Sequence, residues 1–139
     1  MSTYAGDVTP SEAWEKLKSD ANAKLVDVRT QAEWVYVGVP DLAPLNKQVV
    51  LVQWQTFPGN TRNEAFAEQL KAQGVTPGDT VLLLCRSGVR SKAAAELLTG
   101  LGYGAAYNIS DGFEGPLDAT RHRGGAAGWK ASGLPWAQG

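Results

Sequence analysis

The sequence predicts an α/β domain with a mainly parallel sheet covered by helices on both faces. Three observations point there. Strand-like and helix-like segments alternate along the chain, the pattern that builds parallel sheets with crossover helices. Thr80-Val81-Leu82-Leu83-Leu84 is a continuous apolar run of strand length, as expected of a strand buried on both faces. The chain has 139 residues, 43% of them hydrophobic, which suits one compact domain able to hide about two-thirds of its unfolded surface. The domain is expected to span residues 1–139, with an irregular Gly-rich C-terminal segment over about 111–139.

The elements follow in order. Thr9-Pro10-Ser11-Glu12 opens a helix: Thr9 caps, Pro10 fits the first turn and Glu12 completes a capping box. Ala13, Trp14 and Leu17 give that helix its apolar stripe. Leu25 to Val28 reads as a short strand whose polar end, Asp27 and Arg29, marks a site or a buried ion pair. Val35 to Pro40 reads as a loop or as a short strand interrupted by Gly38 and Pro40. Gln48 to Val52 is a strand, Phe57 to Asn60 a turn or loop, and Asn63 to Gln73 a helix with Phe66 and Leu70 inside, stopped by Gly74. Thr76 to Asp79 is a turn before the apolar strand. A second long helix runs from about Val89 to Leu101, with Val89, Ala93, Leu97 and Leu101 as its stripe. Ala105 to Ile109 is a last strand, and Trp129 and Trp136 anchor the segment that follows.

Composition narrows the function. Thirteen basic and fourteen acidic residues leave a net charge of −1, so no global field draws the chain onto nucleic acid or anionic lipid. Arg121-His122-Arg123 is too short a basic run to change that, and His122 has no ligand or triad partner beside it. One cysteine builds neither an intramolecular disulfide nor, alone, a zinc site. No apolar run approaches the roughly 20 residues of a membrane span, and no secretory pattern opens the chain, so a cytoplasmic location is the expectation.

The informative segment is Leu84-Cys85-Arg86-Ser87-Gly88-Val89-Arg90-Ser91, which joins the buried strand to a helix. Ligands in open α/β sheets bind where strands end and helices begin. First-turn amides and the helix dipole favour anions there, and Gly88 lets successive N–H groups converge into a nest. Arg86 and Arg90 add full positive charges. These features stabilise thiolate over thiol at Cys85, giving a nucleophile and a sulfur acceptor. A lone cysteine after an apolar run is ordinarily a small core residue. Two arginines, two serines and a glycine in the next six positions are poor core filler and favour a functional thiolate. Arg90, in the first helical turn, opposes the helix dipole unless an anion is held nearby.

Cys-Arg-Ser-Gly-Val-Arg-Ser resembles the active-site loop of rhodanese-homology sulfurtransferases. Leu25-Val26-Asp27-Val28-Arg29 with Glu33-Trp34 resembles that family's early strand and acidic-aromatic pair. Asn108-Ile109 leading into Asp111-Gly112-Phe113 resembles its glycine-aromatic turn, and Trp129 to Pro135 its closing segment. The resemblance implies a five-stranded parallel sheet with helices on both sides. It implies that Cys85 takes a sulfane sulfur from an anionic donor such as thiosulfate, forms a persulfide, and passes the sulfur to cyanide or a thiol. Arg86, Ser87, Gly88, Val89, Arg90 and Ser91 would bind donor and persulfide through their backbone amides. No cofactor, metal, nucleic acid or membrane is implied. The implied partners are a small anionic donor, a thiol or cyanide acceptor and, in a relay role, a sulfur-accepting protein. Two features depart from the family. Val37-Gly38-Val39-Pro40 stands where many members have Gly-His-Ile-Pro, and the loop is cationic at Arg86 and Arg90 but neutral at Ser87. Asp27 and Arg29 read first as a structural pair and otherwise as loop support, with Glu33 in the same network.

Two other functions use similar parts. A phosphatase or arsenate reductase needs five residues between cysteine and arginine, whereas four separate Cys85 from Arg90 and position 91 is serine. A persulfide relay or binding module would use the same cradle for a partner protein with little turnover on small donors. A redox-sensing thiolate is a variant of that second reading.

Overall fold

The computed structural model describes residues 4–56, 61–86, 88–110, 112–113, 128–129, 132 and 134–137. The turn expected over 57–60, along with Ser87, Asp111 and His122, therefore lies outside the described residues. Strands β1 (Gly6–Val8), β2 (Ala23–Asp27), β4 (Val50–Leu51), β7 (Thr80–Leu84) and β8 (Ala105–Ile109) form a five-stranded sheet in the order β1-β8-β7-β2-β4. Every pairing in it is parallel, as expected. Two short antiparallel pairs lie outside it: β3 (Val39–Pro40) with β9 (Trp136–Ala137), and β5 (Gln55–Thr56) with β6 (Thr61–Arg62).

The central strand β7 explains the layering. Val81 to Leu84 are fully buried, and the pleat sends alternate side chains to opposite faces. Val81 and Leu83 meet Phe66 and Leu70 of α3 (Phe66–Ala72) and Ala94, Ala95 and Leu98 of α4 (Val89–Gly100). Leu82 and Leu84 meet Ala13 and Leu17 of α1 (Pro10–Ser19), together with Phe113 and Trp129. Cys85 continues the parity of Val81 and Leu83, so its side chain comes up on the α3/α4 face.

The capping box expected at Thr9 and Glu12 is present in both directions, with Glu12 N–H donating to Thr9 Oγ1 at 3.1 Å and Thr9 N–H to Glu12 Oε1 at 2.9 Å. Such a cap contributes about 1 kcal/mol. Trp14 sits at the edge of the α1 stripe, with its ring 5.9 Å from that of Trp129 in an edge-on contact.

Several expectations are corrected. The segment read as loop or strand from Val35 begins as helix α2 (Gln31–Tyr36), and only Val39–Pro40 is strand. A second capping box, Thr30 with Glu33, starts that helix. The strand expected over Gln48–Val52 shrinks to Val50–Leu51, because this edge strand pairs only with Val26 and Asp27. The strand expected from Leu25 starts at Ala23 and ends at Asp27. The helix expected from Asn63 begins at Phe66, because Asn63 instead makes a turn, its Oδ1 accepting from Ala65 N–H. In α4 the buried face is Ser91, Ala94, Ala95 and Leu98, not the expected every-fourth stripe. Ala93 and Leu97 are half-buried and Leu101 is 54% exposed. The 3.6-residue period turns the stripe off the sheet over three turns. Trp129 and Trp136 both anchor the C-terminal segment as expected: Trp129 is fully buried with its indole N–H donating to Pro135 O, and Trp136, 41% exposed, pairs with Pro40 and packs edge-on against the Phe113 ring at 6.1 Å.

Candidate active site

Cys85 follows directly on β7, where the chain leaves the sheet and turns into α4. It is 1% exposed. Its sulfur accepts the Gly88 N–H at 3.1 Å and lies 3.2 Å from Ser91 Oγ. The N-terminal turn of α4 therefore opens on the sulfur, and amides of that turn have no intrahelical partner. Gly88 caps the helix at φ +106°, in the left-handed region, and an added Cβ would overlap the Ser110 carbonyl oxygen. Both conformation and space require glycine. Gly88→Ala is expected to cost about 1–3 kcal/mol and to remove the Gly88 N–H from the sulfur. Chemical denaturation and the rate of Cys85 alkylation read the two effects. An unchanged midpoint with unchanged alkylation would contradict this.

The other side of the loop is closed by backbone. Phe113 N–H donates to Cys85 O at 2.8 Å, and Gly112 packs so closely that a Cβ there would lie 2.5 Å from Arg86 O. The glycine-aromatic turn after β8 thus clamps the segment that carries the cysteine.

Sequence reasoning missed a polar chain behind the sulfur. Asn108 of β8 is 3% exposed and shares the α4-facing side with Ala106. Its Oδ1 lies 2.5 Å from Ser91 Oγ, and its Nδ2 donates to Asp7 Oδ1 at 3.0 Å. The carboxylate accepts only, so it fixes which end of the amide faces Ser91. Ser91 thereby sits between Cys85 and Asn108 in a defined rotamer. An asparagine inside an otherwise apolar strand was the available signal.

Asp27 and Arg29 form the expected pair, both 0% exposed, with Arg29 Nη2 donating to Asp27 Oδ2 at 2.6 Å and Nε to Oδ1 at 2.9 Å. Arg29 Nη2 also donates to Gly38 O at 2.7 Å, and the guanidinium lies 4.2 Å over the Phe113 ring. Nη1 is buried without an acceptor, and the ring face is what the planar cation stacks on. The pair ties β2 and the loop before β3 to the residue that clamps Cys85.

The two loop arginines differ. Arg86 is exposed and in no ion pair among the described residues. Arg90 does not stand open to an incoming anion as the sequence suggested. It grips Glu33 of α2 bidentately, Nη1 to Oε1 at 2.7 Å and Nη2 to Oε2 at 2.9 Å. The anion that offsets its position at a helix N-terminus is built into the protein. Burial alone would push the Glu33 carboxyl up, but the Arg90 hydrogen bonds and charge and the Thr30 amide outweigh it and hold it below the usual 4.5. Burial likewise opposes charge on Arg90, but Glu33 and the nearby Cys85 and Asp27 keep its affinity for the proton raised.

The sign of the acid response follows. A carboxyl depressed in the folded state contributes stability above its unfolded value, and that stability is lost as pH falls through the folded value. Glu33→Gln is expected to flatten the loss of stability from about pH 5 to about pH 3. Glutamine still serves a capping box. Urea midpoints across that range test it, and parallel slopes would contradict it.

Ser87 lies outside the described residues, and of Val89 only the backbone, at the first position of α4, is placed. Among the described residues no group of three His, Cys, Asp or Glu side chains is arranged to hold a metal, and no helix is long and apolar enough to cross a membrane.

Residues 5–139 match the family described as the STR4 middle domain. The chain is 33% identical over 132 residues to the rhodanese-like domain-containing protein 4, chloroplastic, of Arabidopsis thaliana, covering 94% of this chain and 25% of that one. The chain belongs to the rhodanese-like family. A crystal structure of Rv0390 from M. tuberculosis superposes with a TM-score of 0.88 at 52% identity, covering 98% of this chain and 99% of that one. Thiosulfate sulfurtransferase GlpE of Actinobacillus pleuropneumoniae is 25% identical over 135 residues, covering 97% of this chain and 95% of its own length. These relatives support a sulfurtransferase-type activity in general terms.

Proposed function

We propose that this rhodanese-like domain transfers a sulfane sulfur from an anionic donor such as thiosulfate to a thiophilic acceptor, cyanide or a thiol, through a persulfide on Cys85. The observation that carries the reading is the Cys85 sulfur seated against the Gly88 amide at the start of α4, with the Ser91 hydroxyl beside it. The thiolate attacks the outer sulfur of thiosulfate, a new S–S bond forms to Cys85, and the old S–S bond breaks with sulfite leaving. The persulfide anion is held by loop amides from Arg86 to Ser91. An acceptor nucleophile then attacks the outer sulfur and Cys85 leaves as thiolate. Sulfite departs without prior protonation, so no general acid is required, and a thiol that attacks as thiolate needs no general base. The likeness to GlpE supports thiosulfate as a donor. The domain over residues 1–139 would act in the cytoplasm, and a sulfur-accepting protein is the partner in the relay version of the same chemistry.

The geometry disfavours the phosphatase reading. A phosphoryl group needs the arginine of its loop, and Arg90 is engaged by Glu33. The test is steady-state turnover of thiosulfate with cyanide, followed as thiocyanate and sulfite. Equal amounts of both products are expected. Absence of both, with aryl phosphate hydrolysed instead, would overturn the proposal.

A further inference from the structure

The charge ledger around Cys85 differs from the one the loop sequence alone suggests. Two arginines would make a dicationic cradle suited to a dianion. In the structure Glu33 approaches from α2, 57 positions before Arg90, and binds both guanidinium nitrogens that face it. The two groups are about equally covered, with 20% and 21% of their side chains exposed, so solvent screens their mutual attraction only in part. Arg29 is likewise cancelled by Asp27. Among the described residues of the loop, Arg86 remains as the one uncompensated cation.

We propose that Glu33 is a specificity-determining residue that selects the donor by charge. By neutralising Arg90 it removes one positive charge from beside the sulfur, and so narrows the advantage that a dianion such as thiosulfate has over donors with a single negative charge. Persulfide anions and thiosulfonates thereby become competitive donors. The inference rests on the sulfur-transfer reading above. The chemistry is the same for either donor. With a thiosulfonate, the Cys85 thiolate attacks the outer sulfur, the S–S bond of the donor breaks, and a sulfinate leaves in place of sulfite. With a persulfide, a thiolate leaves. Glu33 touches Arg90 and not the sulfur, so it acts through that guanidinium.

Glu33→Gln isolates the charge. The amide oxygen still accepts from Arg90 and still serves the capping box of α2, while the carboxylate charge is gone. Coulomb energy scales with the charge on the donor. The gain in free energy for a dianion is therefore twice that for a monoanion, and the fold-changes are related as a square. A KM drop of about threefold for methanethiosulfonate would accompany one of about tenfold for thiosulfate. The kcat of each should move little, and added salt should erase the difference.

The experiment measures kcat and KM for these two donors in wild type, Glu33→Gln and the Glu33→Gln/Arg90→Leu double variant. The expected result is a larger KM drop for thiosulfate in the single variant, lost again in the double. Equal changes for both donors, or a rise in thiosulfate KM, would show Glu33 to be only a structural partner and overturn the proposal. If Glu33→Gln does not fold, Arg90→Leu in wild type decides. It leaves the Glu33 carboxylate without its cation and must raise KM for thiosulfate more than for the thiosulfonate, and equal rises would overturn the inference. Failure of wild type to turn over either donor would instead remove the sulfur-transfer reading, and the charge proposal with it.

Discussion

Cys85→Ser is expected to abolish sulfur transfer while leaving the domain folded. The serine oxygen would occupy the place of the sulfur, still accepting from Gly88 N–H and still beside Ser91 Oγ. The packing around it loses little, because the side chain remains small and buried. The chemistry loses everything, because a serine hydroxyl at neutral pH is neither ionised nor able to hold a sulfane sulfur in exchange. Thiocyanate formation should fall to the uncatalysed background, and the denaturation midpoint should stay near wild type. Retained turnover in this variant, or in Cys85→Ala, would show that the sulfur passes elsewhere.

The largest effect on stability is expected from Asp27→Ala. The carboxylate is fully buried and takes three hydrogen bonds from the Arg29 side chain. Removing it strands a guanidinium with 0% exposure, left among the described residues with the Gly38 carbonyl and the Phe113 ring. Breaking one side of such a pair costs about 3–5 kcal/mol, a large share of the roughly 5–15 kcal/mol by which domains are stable. Replacing both members with leucine should recover much of the loss, since an apolar pair leaves no buried charge. Urea unfolding of the single and double variants reads this. A single variant within about 1 kcal/mol of wild type would mean that the pair contributes no more than a surface bridge.

The legible parts of the fold are those where composition is local and strong. Thr80–Leu84 and Ala105–Ile109 are legible to the residue because apolar runs bounded by turns leave little choice of register. Helix α1 is legible from its cap. Helix α2 is not, although Thr30 and Glu33 carry the same capping signature, because Gly38 and Pro40 close behind suggest a broken segment. Strand β1 has three residues and no apolar periodicity, and it exists because β8 offers it a parallel edge. The site divides in the same way. Cys85, Gly88 and the Asp27–Arg29 pair were visible as local motifs. The need for an anion beside Arg90 was also visible, but not that Glu33 supplies it. Nothing along the chain connects positions 33 and 90 until the sheet brings α2 and α4 to the same end. The Asp7–Asn108–Ser91 chain was hidden for the same reason, being assembled across β1, β8 and α4.

Cys85 carries the sulfur in the proposed cycle. Intact-protein and peptide mass spectrometry after incubation with thiosulfate, and removal of excess donor, tests this most directly. One added sulfur atom located on the peptide containing Cys85, and removed again by cyanide, is the predicted result. An unmodified Cys85 under conditions that persulfidate an accessible thiolate would contradict it.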